Sequence, residues 1–178
     1  MTRLLSAFVA AALGFALFTG GTTAQEKAKD NRISYPDLMK MVENMGYEAK
    51  DIGNNNFEIK YESSGVTNYV AMNLSPDGSV VWFAAYLIEV KEPDAVPAKA
   101  WFGLVNENNK IGPSHFAYDN SNSRLYLYRP MANQDITPAR VRDSLSIFVR
   151  HLRETNNLWD GPVFASAAAG NADSSAGR

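Results

Sequence analysis

Cysteine is absent from the 178-residue chain. That excludes disulfides, thiolate catalysis, thiolate metal sites and a lipid-bearing cysteine behind a leader. In an oxidising compartment such a fold must stand on its apolar core alone. Histidine is nearly absent too: His115 and His151 lie in separate elements, and no HExxH is present. The pattern offers no cluster at metal spacing. Charge of one sign is also scarce, with 17 Lys and Arg against 19 Asp and Glu. This is no electrostatic footprint for nucleic acid or for an anionic membrane surface.

The motifs of common chemistries are missing as well. There is no GxGxxG, no GxxxxGK[ST] and no GxSxG elbow, so dinucleotide, nucleoside triphosphate and serine-nucleophile sites carry no signal. Acid pairs such as Glu89 with Glu92 and Glu43 with Glu48 read as solvated charges at element ends, not as a pair with separated pKa values. Two segments approach the pattern of a calcium loop. Asp51–Glu62 has acids at its first and twelfth places but Asn56 where the loop requires glycine; Asp119–Pro130 ends on proline with one carboxylate. Both read as hairpin connections. The expectation is a noncatalytic protein with no cofactor and no bound metal.

What is present begins with a leader. Arg3 precedes an apolar stretch from Leu4 to Phe18, followed by Gly, Thr and Ala. The order of charge, short apolar run and small-residue exit is that of a secretory signal peptide. The run is shorter than the ~20 residues a spanning helix needs. Cleavage is expected between Ala24 and Gln25, leaving no membrane span, a formal charge that moves from −2 to −3 with the loss of Arg3, and a periplasmic or secreted bacterial protein. The expected organisation is a signal peptide over 1–24, a polar linker over 25–33, one domain over 34–160 and a small-residue, disordered tail over 161–178.

Within the domain, Ser34 and Asp37 open a helix whose apolar positions are Leu38, Met41, Val42 and Met45. Phe57, Ile59 and Tyr61 alternate with Glu58, Lys60 and Glu62, a strand with one wet face. Val66–Leu74 is a second strand, and Ser75, Pro76, Asp77 and Gly78 form a corner into a third, Val80–Ile88. That third run has no polar side: Val80, Trp82, Ala84, Tyr86 and Ile88 share one parity, Val81, Phe83, Ala85 and Leu87 the other. A helix is expected from Ala98 to about Asn108, with Trp101, Leu104 and Val105 on one face. Strands His115–Tyr118 and Arg124–Arg129 follow. Thr137 then caps a helix with Pro138 at its first position and a stripe of Val141, Leu145, Phe148, Val149 and Leu152. His151 is expected at the partly exposed end of that helix.

In "RLYLYR", Leu125 and Leu127 should face the core and Tyr126 and Tyr128 should face out. With Tyr69, Trp82 and Tyr86 they form the candidate partner-binding surface, a platform for a protein or peptide.

The segments "NFEIKY", "VVWFAAYL" and "AWFGLVNENNKIGPSHFAYDNSNSRLYLYRP", with the closing amphipathic helix, resemble the YbjN-like family of bacterial proteins, described as sensory transduction regulators. The resemblance spans about Tyr35–Leu158. It implies an α+β fold like that of type III secretion chaperones: a bent antiparallel sheet of about five strands, helices mainly on one side, order α-β-β-β-α-β-β-α. It further implies a protein or peptide partner and a homodimer, and the leader departs from a cytoplasmic chaperone. Two rival readings are a carrier with an apolar cavity under Trp82 and Trp101, and a hydrolase built on His115 or His151 with carboxylates.

Overall fold

The computed structural model describes residues 31–63 and 65–169. The leader, the Ala24–Gln25 cleavage site and residues 170–178 of the expected tail lie outside the described residues. The elements are α1 (Tyr35–Asn44), β1 (Ala49–Gly53), β2 (Asn56–Ser63), β3 (Val66–Leu74), β4 (Val80–Glu89), a short 3-10 turn (Pro93–Ala95), α2 (Ala98–Ile111), β5 (His115–Asp119), β6 (Arg124–Ala132), α3 (Pro138–Glu154), α4 (Asn156–Trp159) and α5 (Pro162–Ala169). All neighbouring strands are antiparallel, in the order β1-β2-β3-β4-β6-β5.

The local chemistry accounts for most boundaries. The Asp37 amide donates to the Ser34 hydroxyl, and that hydroxyl donates to the Asp37 carboxylate at 2.5 Å, closing the first turn of α1. In α3 the Arg140 amide donates to Thr137 Oγ1, with Pro138 just inside. At the β3–β4 corner the Asp77 carboxylate accepts from the Ser75 hydroxyl and from the Ser79 amide and hydroxyl. Gly78 there takes φ of 68°, a region that costs glycine nothing.

One face of the sheet is the core. Phe57, Ile59, Val70, Met72, Val81, Phe83, Ala85, Leu125 and Leu127 are buried on it, and Leu38, Val42, Val141, Leu145 and Phe148 cover it from the helices. Phe83 meets Phe148 at 6.3 Å.

Several features differ from the sequence expectation; Val105, expected on one face of α2 with Trp101 and Leu104, is 58% exposed while Leu104 takes the core side of the helix. A sixth strand, β1, occupies the edge beside β2, where the chain turns on Asn54 and Asn55, both at positive φ. Residues 31–33, expected in the linker, are held: Asn133 Nδ2 donates to the Ile33 carbonyl, the Ile33 amide donates to Asn133 Oδ1, and Asn31 Nδ2 donates to Asp135. The packed domain also runs past 160, because Phe164 of α5 is buried against Trp101. Finally, the β4–β6 register shifts between Tyr86 and Ile88. One extra residue reverses the parity, so Ile88 opposes Leu125 and packs toward the core instead of sharing a face with Trp82.

Candidate partner-binding face and a polar cluster beneath the sheet

None of the outward-facing residues of β2–β6 is buried. The registers place Ala71 opposite Ala84, Ala84 opposite Tyr128, Tyr128 opposite His115 and Tyr86 opposite Tyr126. All five aromatic residues named from the sequence therefore stand on one side of the sheet. Tyr69 and Tyr86 are 58% and 50% exposed, and Trp82, Tyr126 and Tyr128 are half-buried.

Four of the five touch one another in a chain. Trp82 meets Tyr128 edge-on at 6.0 Å, Tyr128 stacks on Tyr126 at 5.4 Å, and Tyr126 meets Tyr86 at 6.0 Å. Arg124 lies 4.7 Å over the Tyr86 ring, a cation–π contact at one end of the row. His115 joins at the other end, 6.1 Å from Trp82; its position in register with Tyr128 was the signal that could have included it. Beside Trp82, His115 and Tyr128 is a hollow of about 390 Å³ reaching Pro76. Alanines 71, 84 and 117 keep the middle of the face low. Ring stacking and the polar tips of Trp and Tyr suit such a surface to a chain with both apolar side chains and backbone carbonyls.

Trp101 is not part of this face. It packs on the helix side against Tyr118 at 5.5 Å, with its indole N–H donating to the Pro93 carbonyl. Trp82 and Trp101 thus lie on opposite faces, which removes the shared cavity of the carrier reading. Both segments with a calcium-loop pattern form hairpin connections, with Asp51 accepting from the Gly53 amide and Asp119 from the Ser121 amide.

The histidines are separated by the sheet, His115 outside and His151 within. His151 is buried, contrary to the expected exposed helix end. Its Nδ1 lies 2.9 Å from Ser114 Oγ, and Arg129 Nη1 donates to the same oxygen at 3.3 Å. A hydroxyl that accepts from a guanidinium has its own proton to give to a neutral imidazole. The relay Arg129 to Ser114 to His151 follows. Burial, with Arg129 and Arg150 next in weight, pushes the His151 pKa below its ordinary value, in keeping with an accepting ring. Burial and Arg150 also lower Arg129, whose buried Nε has no hydrogen-bond partner. A serine–histidine contact is part of a nucleophile's equipment, but Ser114 is 1% exposed and its oxygen already serves Arg129. The three residues come from the α2–β5 corner, β6 and α3, so no local spacing announces them.

No protein-family model matches the chain, and no curated protein matches it. Solved structures do. The ExsC–ExsE complex is similar at 13% identity and a TM-score of 0.51, over 70% of this chain and 91% of that one. The heterodimeric ExoU–SpcU complex from the type III secretion system of Pseudomonas aeruginosa is similar at 16% identity and a TM-score of 0.46, over 67% and 92%. The HopA1–SchA chaperone–effector complex is similar at 7% identity and a TM-score of 0.47, over 67% and 91%. The fold is α+β, an antiparallel six-stranded sheet with helices packed on one face, and it is similar to that of a chain in the ExsC–ExsE complex.

Proposed function

We propose that the chain is an exported, noncatalytic, YbjN-like domain that binds a protein or peptide partner on the outer face of its sheet, in a chaperone-like or regulatory role in the cell envelope. The observation that carries this reading is the row of touching rings Trp82, Tyr128, Tyr126 and Tyr86 on a face with no buried residue. Contiguous exposed apolar surface of this kind marks interaction sites, and Tyr and Trp are the residues that most often anchor them. The fold likeness to a chain in the ExsC–ExsE complex, a two-protein assembly, supports the same class of partner. The leader "MTRLLSAFVAAALGFALFTGGTTA" supports export.

The domain works as a homodimer in this reading. Phe102 and Val105, one turn apart on α2, are 65% and 58% exposed, an apolar pair turned away from the core while Leu104 points into it. The test of the proposal is photocrosslinking from Tyr86 and Tyr128 in the native envelope, which should capture a discrete protein partner; an outer face that captures nothing overturns it.

A further inference from the structure

The β3–β4 ladder runs only from Ala71–Ala84 to Leu74–Val81. Toward Val66 the two strands part, and on the helix side of this opening lies a cleft of about 880 Å³ between β2–β3 and the end of α3. Its size falls in the range of small-molecule sites, ~300–1,000 Å³. Tyr61, Val66, Val149 and Leu152 supply apolar walls.

Two of its lining side chains hold buried donors with no hydrogen-bond partner: Asn68 Nδ2, on a residue 9% exposed, and the Trp159 indole N–H. Unsatisfied buried donors are costly, and two on the wall of one cleft call for an acceptor there. Arg150 and Arg153 line the cleft with Glu154 and Asp160, two charges of each sign. Of these, Arg150 has no ion pair within 4 Å to a carboxylate among the described residues, so its guanidinium is the cation available to a ligand.

We propose that this cleft binds a small amphiphilic carboxylate, an apolar chain ending in one carboxylate group. The carboxylate sits at the Arg150 end, where bare cationic charge meets it, and the chain runs along Tyr61, Val66, Val149 and Leu152. Asn68 and Trp159 turn their N–H groups to the ligand's oxygens. The site is on the opposite side of the sheet from the aromatic face, so it stands or falls apart from partner binding.

The experiment is calorimetric titration of the folded protein with decanoate, with 1-decanol and inorganic phosphate as separate arms. Saturable one-to-one binding of decanoate is expected, with neither other probe competing well. Arg150 is exposed, so Arg150→Gln should fold normally and weaken decanoate by about tenfold, the weight of one charge-assisted hydrogen bond. Trp159→Phe should also weaken it and abolish any ligand-dependent change in tryptophan emission. Equal binding of 1-decanol and decanoate, binding of phosphate alone, no saturable binding, or full affinity in Arg150→Gln would each overturn the proposal.

Discussion

Trp82 on β4 and Tyr128 on β6 meet edge to face, their centroids 6.0 Å apart and their planes at 79°. Tyr128 pairs across the ladder with Ala84, not with Trp82, so the contact is a diagonal one that only large side chains can make. It ties two central strands on the side that none of the described helices covers. In the proposed reading the rings that stiffen the face are also the ones a partner would meet, already ordered.

The core prediction concerns the opposite side of β4. Phe83 is fully buried and faces Phe148. Phe83→Ala should cost about 3–5 kcal/mol by removing that volume from a packed layer. Tyr86→Ala, three residues on and half-exposed, should change stability by only about 0.5 kcal/mol. Urea denaturation of the two variants measures both.

The β3–β4 corner should be acid-resistant. Hydrogen bonds from Ser75 and Ser79 hold the Asp77 carboxyl at about 2, below its ordinary 3.8. A depressed carboxyl contributes stability above its unfolded value and loses it as pH falls through the folded one. Asp77→Ala should therefore lower the urea midpoint at pH 7, and the gap from the native chain should close between about pH 4 and pH 2.

His151 gives the opposite group type with the same slope. Its pKa lies below the ordinary 6.5, so the unfolded chain binds its proton more readily. Stability is complete above pH 6.5 and falls as the solution is acidified through the lowered value. Arg129 from β6 and Arg150 from α3 oppose protonation and Glu154 favours it, so the slope reads their balance. His151→Gln should remove the slope between pH 7 and pH 5, seen by thermal unfolding across that range.

On α2, Phe102→Glu with Val105→Glu should convert the proposed homodimer into a monomer without loss of fold, since both side chains are exposed. Light scattering coupled to size exclusion reports the mass. A native chain that is already monomeric refutes the dimer.

The parts of this structure legible in the sequence are those with a local period. Phe57 and Ile59 against Glu58 and Lys60 show which side of β2 is wet, and the Val141–Leu152 stripe shows which side of α3 is not. Tyr126 and Tyr128 could be placed outside because Leu125 and Leu127 claim the core. β4 resisted because both its parities are apolar, and the bulge that turns Ile88 inward has no signature in an apolar run. β1 is a mostly exposed edge strand, so burial imposes no alternation on "AKDIG". α5 brings one buried side chain among its described residues, Phe164, in a run of mostly small residues. The Ser114–His151 contact joins residues 37 apart, which only the fold brings together.

The central claim is that the outer face binds a protein, and photocrosslinking tests it most directly. A photoreactive phenylalanine analogue placed at Tyr69, Tyr86 or Tyr128, with a control at the exposed Asp143 on α3, would be irradiated in the native envelope. The account predicts one discrete adduct of the same protein partner from the outer-face positions and none from the control. Equal capture from Asp143, or no adduct from any outer-face position, would contradict it.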